Sequence, residues 1–585
     1  MYLKSGNSRF HCLSTTDGTV NFFTPITRNN LLTGIQKKPK TKKAIEVLKE
    51  DCQAFGTIIA KAYTLKEAFG YPITSYPLSV ADLEGSLRQS DKASLRNFLI
   101  EEACASLKII PKNASWLVDG MGAVRTLKPQ TTYQMWIEGL LKFITPLEIA
   151  EALSSGMVND TYPKLSAKNG VRIQRGEDFQ RTYVEGIGQQ MPNGMRWQEF
   201  LQNGENKEQL VDLIKEFALS ENGKNLVWKP FIITARDKNY KLMESGEVLE
   251  EECNHEEADT RLVYLALQED TDIVVVSKDT DVLILLVWAY AKHDIKRQWY
   301  MMYEHGKYAD IGKIVEFLGK EVCLALPAIH SLTGCDTTSY FFRVGKCRTF
   351  KKILKQTGTL QLLNSLGDKR ELDDKDVMDI KEFIRTVLYS GTASEDYIDT
   401  RIRICKNLKE KSSMPLPPDP LSVVQVIKRA HHQAYTWYHC DMPVINKLQL
   451  ENNGWIFKDD TIEPLWFCGS QLPPSTKRMK QKDVAPKMQM QREIENDADV
   501  ESEVETRPKR RYTRKLKKAK ERVQPTAMED VAGDETIFTG IDEGMEGDED
   551  TDNIICEQEE EVDDDSNWEV SDFMSSDDSC DEWVP

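Results

Sequence analysis

No C-x-x-C pair occurs in this chain of 585 residues, although it carries 12 cysteines. Thiols scattered in this way exclude a zinc ribbon or a thioredoxin-type redox motif. They suit a reducing compartment, cytosol or nucleus, better than a disulfide framework. A phosphate-cradling P-loop and a dinucleotide-binding glycine fingerprint are also missing, so the commonest nucleotide-dependent functions lose their signature. No N-terminal segment has the basic, apolar, small-residue order of a signal peptide. The most apolar run, Ile273 to Ala291, is interrupted by Lys278, Asp279 and Asp281. Charges at that depth are costly in a bilayer, so the run reads as a buried strand and helix, and no membrane partner is expected.

Lysine and arginine are missing from residues 524–585, which hold 24 Asp and Glu. Setting these apart from the net charge of −18 leaves +6 on the remainder. Much of that excess lies in the block Arg507 to Lys520. Apolar periodicity fades near residue 475, so 476–585 are expected to be a disordered tail, basic and then acidic. The basic block fits a nuclear import signal, a contact with nucleic-acid phosphates or a solvated linker. A nuclear location is expected, with the cytoplasm as an additional one.

The 40% apolar content is that of a soluble globular protein. Residues 1–110 read as mainly helical after a loop-rich start, with no evident chemistry. Residues 114–355 alternate apolar strands with helical stretches. Residues 356–475 read as helices followed by a Trp- and Pro-rich module. Strands are predicted at Ser115–Asp119, Gly156–Asp160, Phe231–Ala235, Asp272–Ser277 and Glu321–Ala325, with helices notably at Glu256–Leu267 and Asp281–Lys292. This alternation predicts an α/β fold with a mainly parallel sheet and flanking helices, whose function gathers at the carboxyl ends of the strands.

Acids fall at those ends. Asp119 closes Trp116-Leu-Val118, Asp160 closes Gly156-Met-Val-Asn159, and Asp279 and Asp281 follow Ile273-Val-Val-Val276. Asp336 lies in the Gly334-Cys-Asp336 turn, and Glu256-Glu-Ala-Asp259 opens a predicted helix. Singly, each has a plainer explanation as a turn residue, a helix N-cap or a partner for the helix dipole. Together they crowd one rim. A carboxylate pair 4 Å apart costs about 4 kcal/mol at an effective dielectric near 20. Oxygen-seeking divalent cations, Mg²⁺ or Mn²⁺, relieve that repulsion, and two such ions about 4 Å apart support phosphodiester hydrolysis.

The order Val118-Asp-Gly120, Asp160, Glu256-Glu-Ala-Asp-Thr-Arg261, Lys278-Asp-Thr-Asp281 and Leu332-Thr-Gly-Cys-Asp336 resembles the PIN-like superfamily, specifically its flap-endonuclease branch, over roughly residues 114–355. The resemblance implies a first metal site from Asp119, Asp160, Glu257 and Asp279. It implies a second from Asp281 and Asp336, with Asp259 shared. It also implies a Lys and an Arg seven residues apart that steer the scissile phosphate. Lys168 and Arg175 have that spacing, with Arg172 between them. A solvated basic face is the plainer reading of the three.

The family's helical hairpin, which grips duplex backbone, has only a partial counterpart in Phe341-Phe-Arg-Val-Gly-Lys346, where a second glycine and a proline are lacking. The first strand also comes after more than a hundred residues instead of lying near the N-terminus. The layout is similar, too, to animal PIN-like proteins associated with mobile elements, through Asp160-Thr-Tyr162, Ser166, Lys168, Gly454-Trp455 and Pro464-Leu-Trp466. The resemblance implies a metal-dependent nuclease acting on DNA or RNA, or alternatively the same fold kept as a nucleic-acid or protein-binding module. His431, His432, His439, Cys440 and Cys468 match no usual zinc spacing and sit among aromatics, which points to packing.

Overall fold

The computed structural model describes residues 64–470 except 73, 109–110, 146–151, 175–180, 193, 228–229, 408–415 and 459–460. The charged tail expected at 476–585 lies outside these residues, as does most of the loop-rich start of the N-terminal region.

Nine strands form one mixed sheet: β1 (Ser106–Leu107), β2 (Ala114–Asp119), β3 (Ser154–Val158), β4 (Phe231–Ala235), β5 (Lys238–Leu242), β6 (Val248–Glu252), β7 (Asp272–Val276), β8 (Trp299–Glu304) and β9 (Lys307–Asp310). Their spatial order is β1-β9-β8-β7-β2-β3-β4-β5-β6. The five central strands, β8-β7-β2-β3-β4, run parallel, and antiparallel strands extend both edges.

The central strands are apolar on both faces, as a sheet covered on both sides requires. Alternate side chains feed different cores. Leu117, Ile232, Ile273 and Val275 pack with the helices Ala258–Gln268, Thr280–Lys292, Lys320–Thr333 and Pro420–Tyr438. Trp116, Val118, Ile233, Val274 and Val276 pack with Tyr133–Ile144 and Gly204–Ala218. At one edge, the outward residues of β6 include Glu250, Glu251 and Glu252, charges that discourage pairing with a further strand.

One predicted strand is overturned. Glu321–Ala325 is part of the Lys320–Thr333 helix, where Val322, Leu326, Ile329 and Thr333 are buried at helical spacing. A short apolar run fits either period, and here the longer repeat decides. The fifth parallel strand is instead β8, which sequence reading missed, and Asp336 therefore comes after a helix rather than a strand.

Residues before and after the central unit join the same core. Leu95 and Leu99 of the Ala93–Glu102 helix, and Val423, Ile427 and Trp437 of the Pro420–Tyr438 helix, are buried with the sheet residues. Trp466 Nε1 donates to Gly85 O at 3.0 Å, tying the two flanking segments to each other. Gly170 has a packing role in the helix Ala167–Gln174. A Cβ there would lie 2.4 Å from Ile462 O in the small hairpin Trp455–Lys458/Thr461–Pro464, so only glycine permits this approach. Among the described residues, no helix is long and apolar enough to cross a membrane.

Candidate metal centre

From neighbouring strands β2 and β7 the sheet is built outward in opposite directions, through β3 and β4 on one side and β8 on the other. The crevice at the carboxyl ends of such a pair is where parallel sheets bind ligands. Here β2 ends in Asp119, β3 leads to Asp160, and β7 leads to Asp279 and Asp281.

Each acid is set by local backbone chemistry. Asp119 caps the helix Gly120–Thr126, accepting from Gly122 N at 3.1 Å, and its other oxygen accepts from Ser277 Oγ at 3.3 Å. Asp160 Oδ1 accepts from Ala258 N at 2.7 Å, at the start of the Ala258–Gln268 helix. Asp279 caps Thr280–Lys292 by accepting from Asp281 N at 2.8 Å. Three helix N-termini thus point at the rim, and their partial positive charge favours carboxylates there. The plainer reading of Asp279 as an N-cap is correct as far as it goes; the cap also aims the residue into the cluster.

Glycine and arginine make this geometry possible. Gly120 leaves room for Asn159, whose Oδ1 would lie 1.9 Å from an added Cβ. Asn159 cannot yield, because its N and Nδ2 donate to Thr234 Oγ1 and O at 2.7 and 2.9 Å. Gly334 has φ +109°, and a Cβ there would meet Tyr340 N at 2.8 Å. Arg261 is fully buried and donates to His255 O and Cys253 O at 3.1 and 2.8 Å. It holds the loop that presents Glu256 and Glu257.

Asp259, Asp279 and Asp281 each offer an oxygen within 4.8 Å of the others. This group can hold a metal ion, and its all-oxygen donor set fits a hard cation. Burial raises the Asp259 carboxyl well above its usual range, and the neighbouring Asp279 charge adds to the effect. Burial pushes Asp279 up to about 7 against the opposing pull of Lys92. Burial raises Asp119 as well, with the Asp160 charge reinforcing it. Asp281 behaves oppositely: burial would raise it, but Lys92 and His330 outweigh that and hold it low. His330 Nε2 lies 2.7 Å from Asp281 Oδ1, with the imidazole fully buried and stacked on Trp437.

Three partners of the cluster escaped sequence reading, His330 and two more from outside the central unit. Lys92, from the N-terminal region thought to lack chemistry, places Nζ 2.6 Å from Asp336, 3.2 Å from Asp281 and 3.5 Å from Asp279. Burial would lower the pKa of its ammonium, but the three carboxylates raise it well above the ordinary lysine value. Gln433 Nε2 approaches Glu257 Oε2 at 3.4 Å from the C-terminal module, and its Oε1 accepts from Thr337 Oγ1 at 2.6 Å. No local motif marks Lys92, Gln433 or His330; only the folded chain brings them in.

Lys168 stands at the rim with Nζ 3.6 Å from Glu257 Oε1. Arg175 lies outside the described residues, as does the side chain of Arg172. In the partial hairpin, Lys346 is buried and donates to Gly334 O, so it supports the Asp336 turn. His431, His439 and Cys440 are occupied in packing: His439 lies on Tyr435 with ring centroids 4.2 Å apart, and Cys440 is fully buried. Among the described residues, the aspartate triad is the one group of three or more His, Cys, Asp or Glu side chains whose donor atoms all lie within 4.8 Å of one another.

No known protein family matches this chain, and no curated protein or solved structure matches it.

Proposed function

We propose that this chain is a divalent-metal-dependent nuclease of the PIN-like, flap-endonuclease kind, using Mg²⁺ or Mn²⁺ to hydrolyse phosphodiester bonds of DNA or RNA. The observation that carries the reading is the Asp259–Asp279–Asp281 triad at the carboxyl edge of the parallel sheet. An ion bound there supplies Lewis-acid activation of water and charge neutralisation at the scissile phosphate. Asp259, Asp279 and Asp281 would hold it, with Asp119, Asp160, Glu257 and Asp336 as the surrounding acids of the rim. Lys168, at 18% side-chain exposure beside Glu257, is poised to bind and orient a phosphate, with Arg175 assigned the companion role. The mobile-element resemblance and the Arg507–Lys520 block support work on nucleic acid in the nucleus.

The test is cleavage of labelled single-stranded, duplex and flapped DNA and RNA in Mg²⁺, Mn²⁺ or EDTA, with the Asp279→Asn/Asp281→Asn protein alongside. Metal-dependent cutting that disappears in the variant supports the nuclease. Undiminished cutting by the variant refutes the site. A second reading, a binding module without turnover, draws on Lys92: an ammonium among three carboxylates lets the rim fold without a metal. Retained nucleic-acid binding without cutting would favour it.

A further inference from the structure

We infer that Gln433 is a positioning residue of the acidic rim: a buried amide, brought in by the Pro420–Tyr438 helix, that locks Glu257 and the Asp336 turn into one arrangement. The inference rests on the proposed metal centre and adds to it a residue that acts through the acids. Gln433 is only 5% exposed, on an apolar helix face that it shares with Ala430 and Trp437. An apolar side chain would fill that place without the cost of burying an amide. Both ends of the amide are used. Nε2 lies 3.4 Å from Glu257 Oε2, and Oε1 lies 2.6 Å from Thr337 Oγ1. An ionised carboxylate accepts and cannot donate, so the amide nitrogen must face Glu257. The amide oxygen is left for Thr337, whose hydroxyl then donates. Gln433 therefore has one orientation and not two.

The groups it joins lie on separate segments. Glu257 is the N-cap residue of the Ala258–Gln268 helix, shortly before Asp259 of the triad. Thr337 follows Asp336 in the turn after the Lys320–Thr333 helix. Lys168 Nζ, 3.6 Å from Glu257 Oε1, faces the other oxygen of the same carboxylate, so Glu257 is held at both. One turn along from Gln433, Trp437 stacks on His330 with ring centroids 5.7 Å apart, and His330 Nε2 lies 2.7 Å from Asp281 Oδ1. A single helix face thus reaches acids on both sides of the rim. Partners that orient the acids around an ion set its affinity, typically by roughly 10–100-fold.

The experiment is Mn²⁺ titration of the full chain by calorimetry, with urea unfolding of each metal-free protein alongside. Gln433→Met keeps the length of the side chain without the amide and is expected to weaken Mn²⁺ binding by roughly 10–100-fold. Val423→Ala is the control for general loosening. Val423 is buried in the same helix, about 15 Å along it from Gln433. The control is expected to lower the urea midpoint while binding Mn²⁺ as the wild type does. Wild-type affinity in Gln433→Met overturns the inference, as does an equal weakening in Val423→Ala, and the metal centre stands in both cases. No Mn²⁺ binding by the wild type overturns the metal centre and the inference with it. If Gln433→Met does not fold, Thr337→Val takes its place, freeing the amide from the Asp336 turn. It is expected to weaken Mn²⁺ binding severalfold, and wild-type affinity there overturns the inference.

Discussion

The two sides of the acidic rim are built from the same residue type and treat it differently. On the β2–β3 side, Asp119 and Asp160 spend an oxygen each on a backbone N–H at a helix start, and Glu257 faces Lys168 and Gln433. On the β7 side, Asp259, Asp279 and Asp281 crowd within 4.8 Å, with Lys92 and His330 as their partners. The first side relieves its charge through helix N-termini, hydrogen bonds and the Lys168 ammonium. On the second Asp279 also caps a helix, but three carboxylates there lie close enough together to share one cation. A carboxylate at a strand end is therefore no single kind of evidence: its partners decide whether it organises the backbone or awaits an ion.

The largest effect should come from removing the charge on the β7 side. Asp279→Asn/Asp281→Asn is expected to reduce cutting by on the order of 10³-fold or more with its circular dichroism unchanged. Asp119→Asn keeps an N-cap oxygen, since Asn caps as well as Asp, and should lose about tenfold to a hundredfold. Equal losses in the two proteins would erase the distinction between the sides.

Stability should respond in the opposite place. Gly120→Ala drives a Cβ into the pinned Asn159 and is expected to cost about 2–3 kcal/mol in urea unfolding. A change below about 0.5 kcal/mol would mean that the β2–β3 junction is not rigid.

Acid should weaken the fold through imidazoles. Burial lowers His255 to about 4, and burial lowers His330 to about 4 with Lys346 contributing. Between that value and the unfolded 6.5, the unfolded chain binds more protons than the folded one. Stability is then complete above about pH 6.5 and falls as pH drops toward 4, by up to roughly 3 kcal/mol per imidazole. The raised Asp259 and Asp279 carboxyls act in the opposite sense over the same range, so the imidazole contribution is read as a difference: the urea midpoint of His255→Gln relative to the wild type should rise as pH falls from about 7.5 to 5. The smallest effect is expected from Lys168→Ala, which should raise KM severalfold with kcat little changed if the lysine serves binding alone. A kcat loss as large as that of the Asp279/Asp281 variant would move Lys168 to the centre of the chemistry.

Much of the rim was legible before the fold. β4 matches its predicted bounds, and β2 and β7 differ from theirs by one residue, because buried parallel strands are uninterrupted apolar runs. The acids of Lys278-Asp-Thr-Asp281 and Glu256-Glu-Ala-Asp259 stood out because polar residues closing such runs point to strand ends. Glu321–Ala325 misled because five apolar-rich residues fit two periods, and β8 escaped because its mixture of Trp, Tyr and Met carries no clear one.

That acids gather at the carboxyl edge of a parallel sheet was already written in the order of residues, since strand polarity and the β–α alternation place successive strand ends on one side. Which of those acids crowd, and what faces them, was left to the folded chain. His330 reaches Asp281 across 49 residues, Gln433 reaches Glu257 across 176, and Lys92 reaches Asp281 across 189. Local propensity carries no information over such separations. They are fixed only when the helices Ala93–Glu102 and Pro420–Tyr438, which flank the central unit in sequence, bury their apolar faces on the same core.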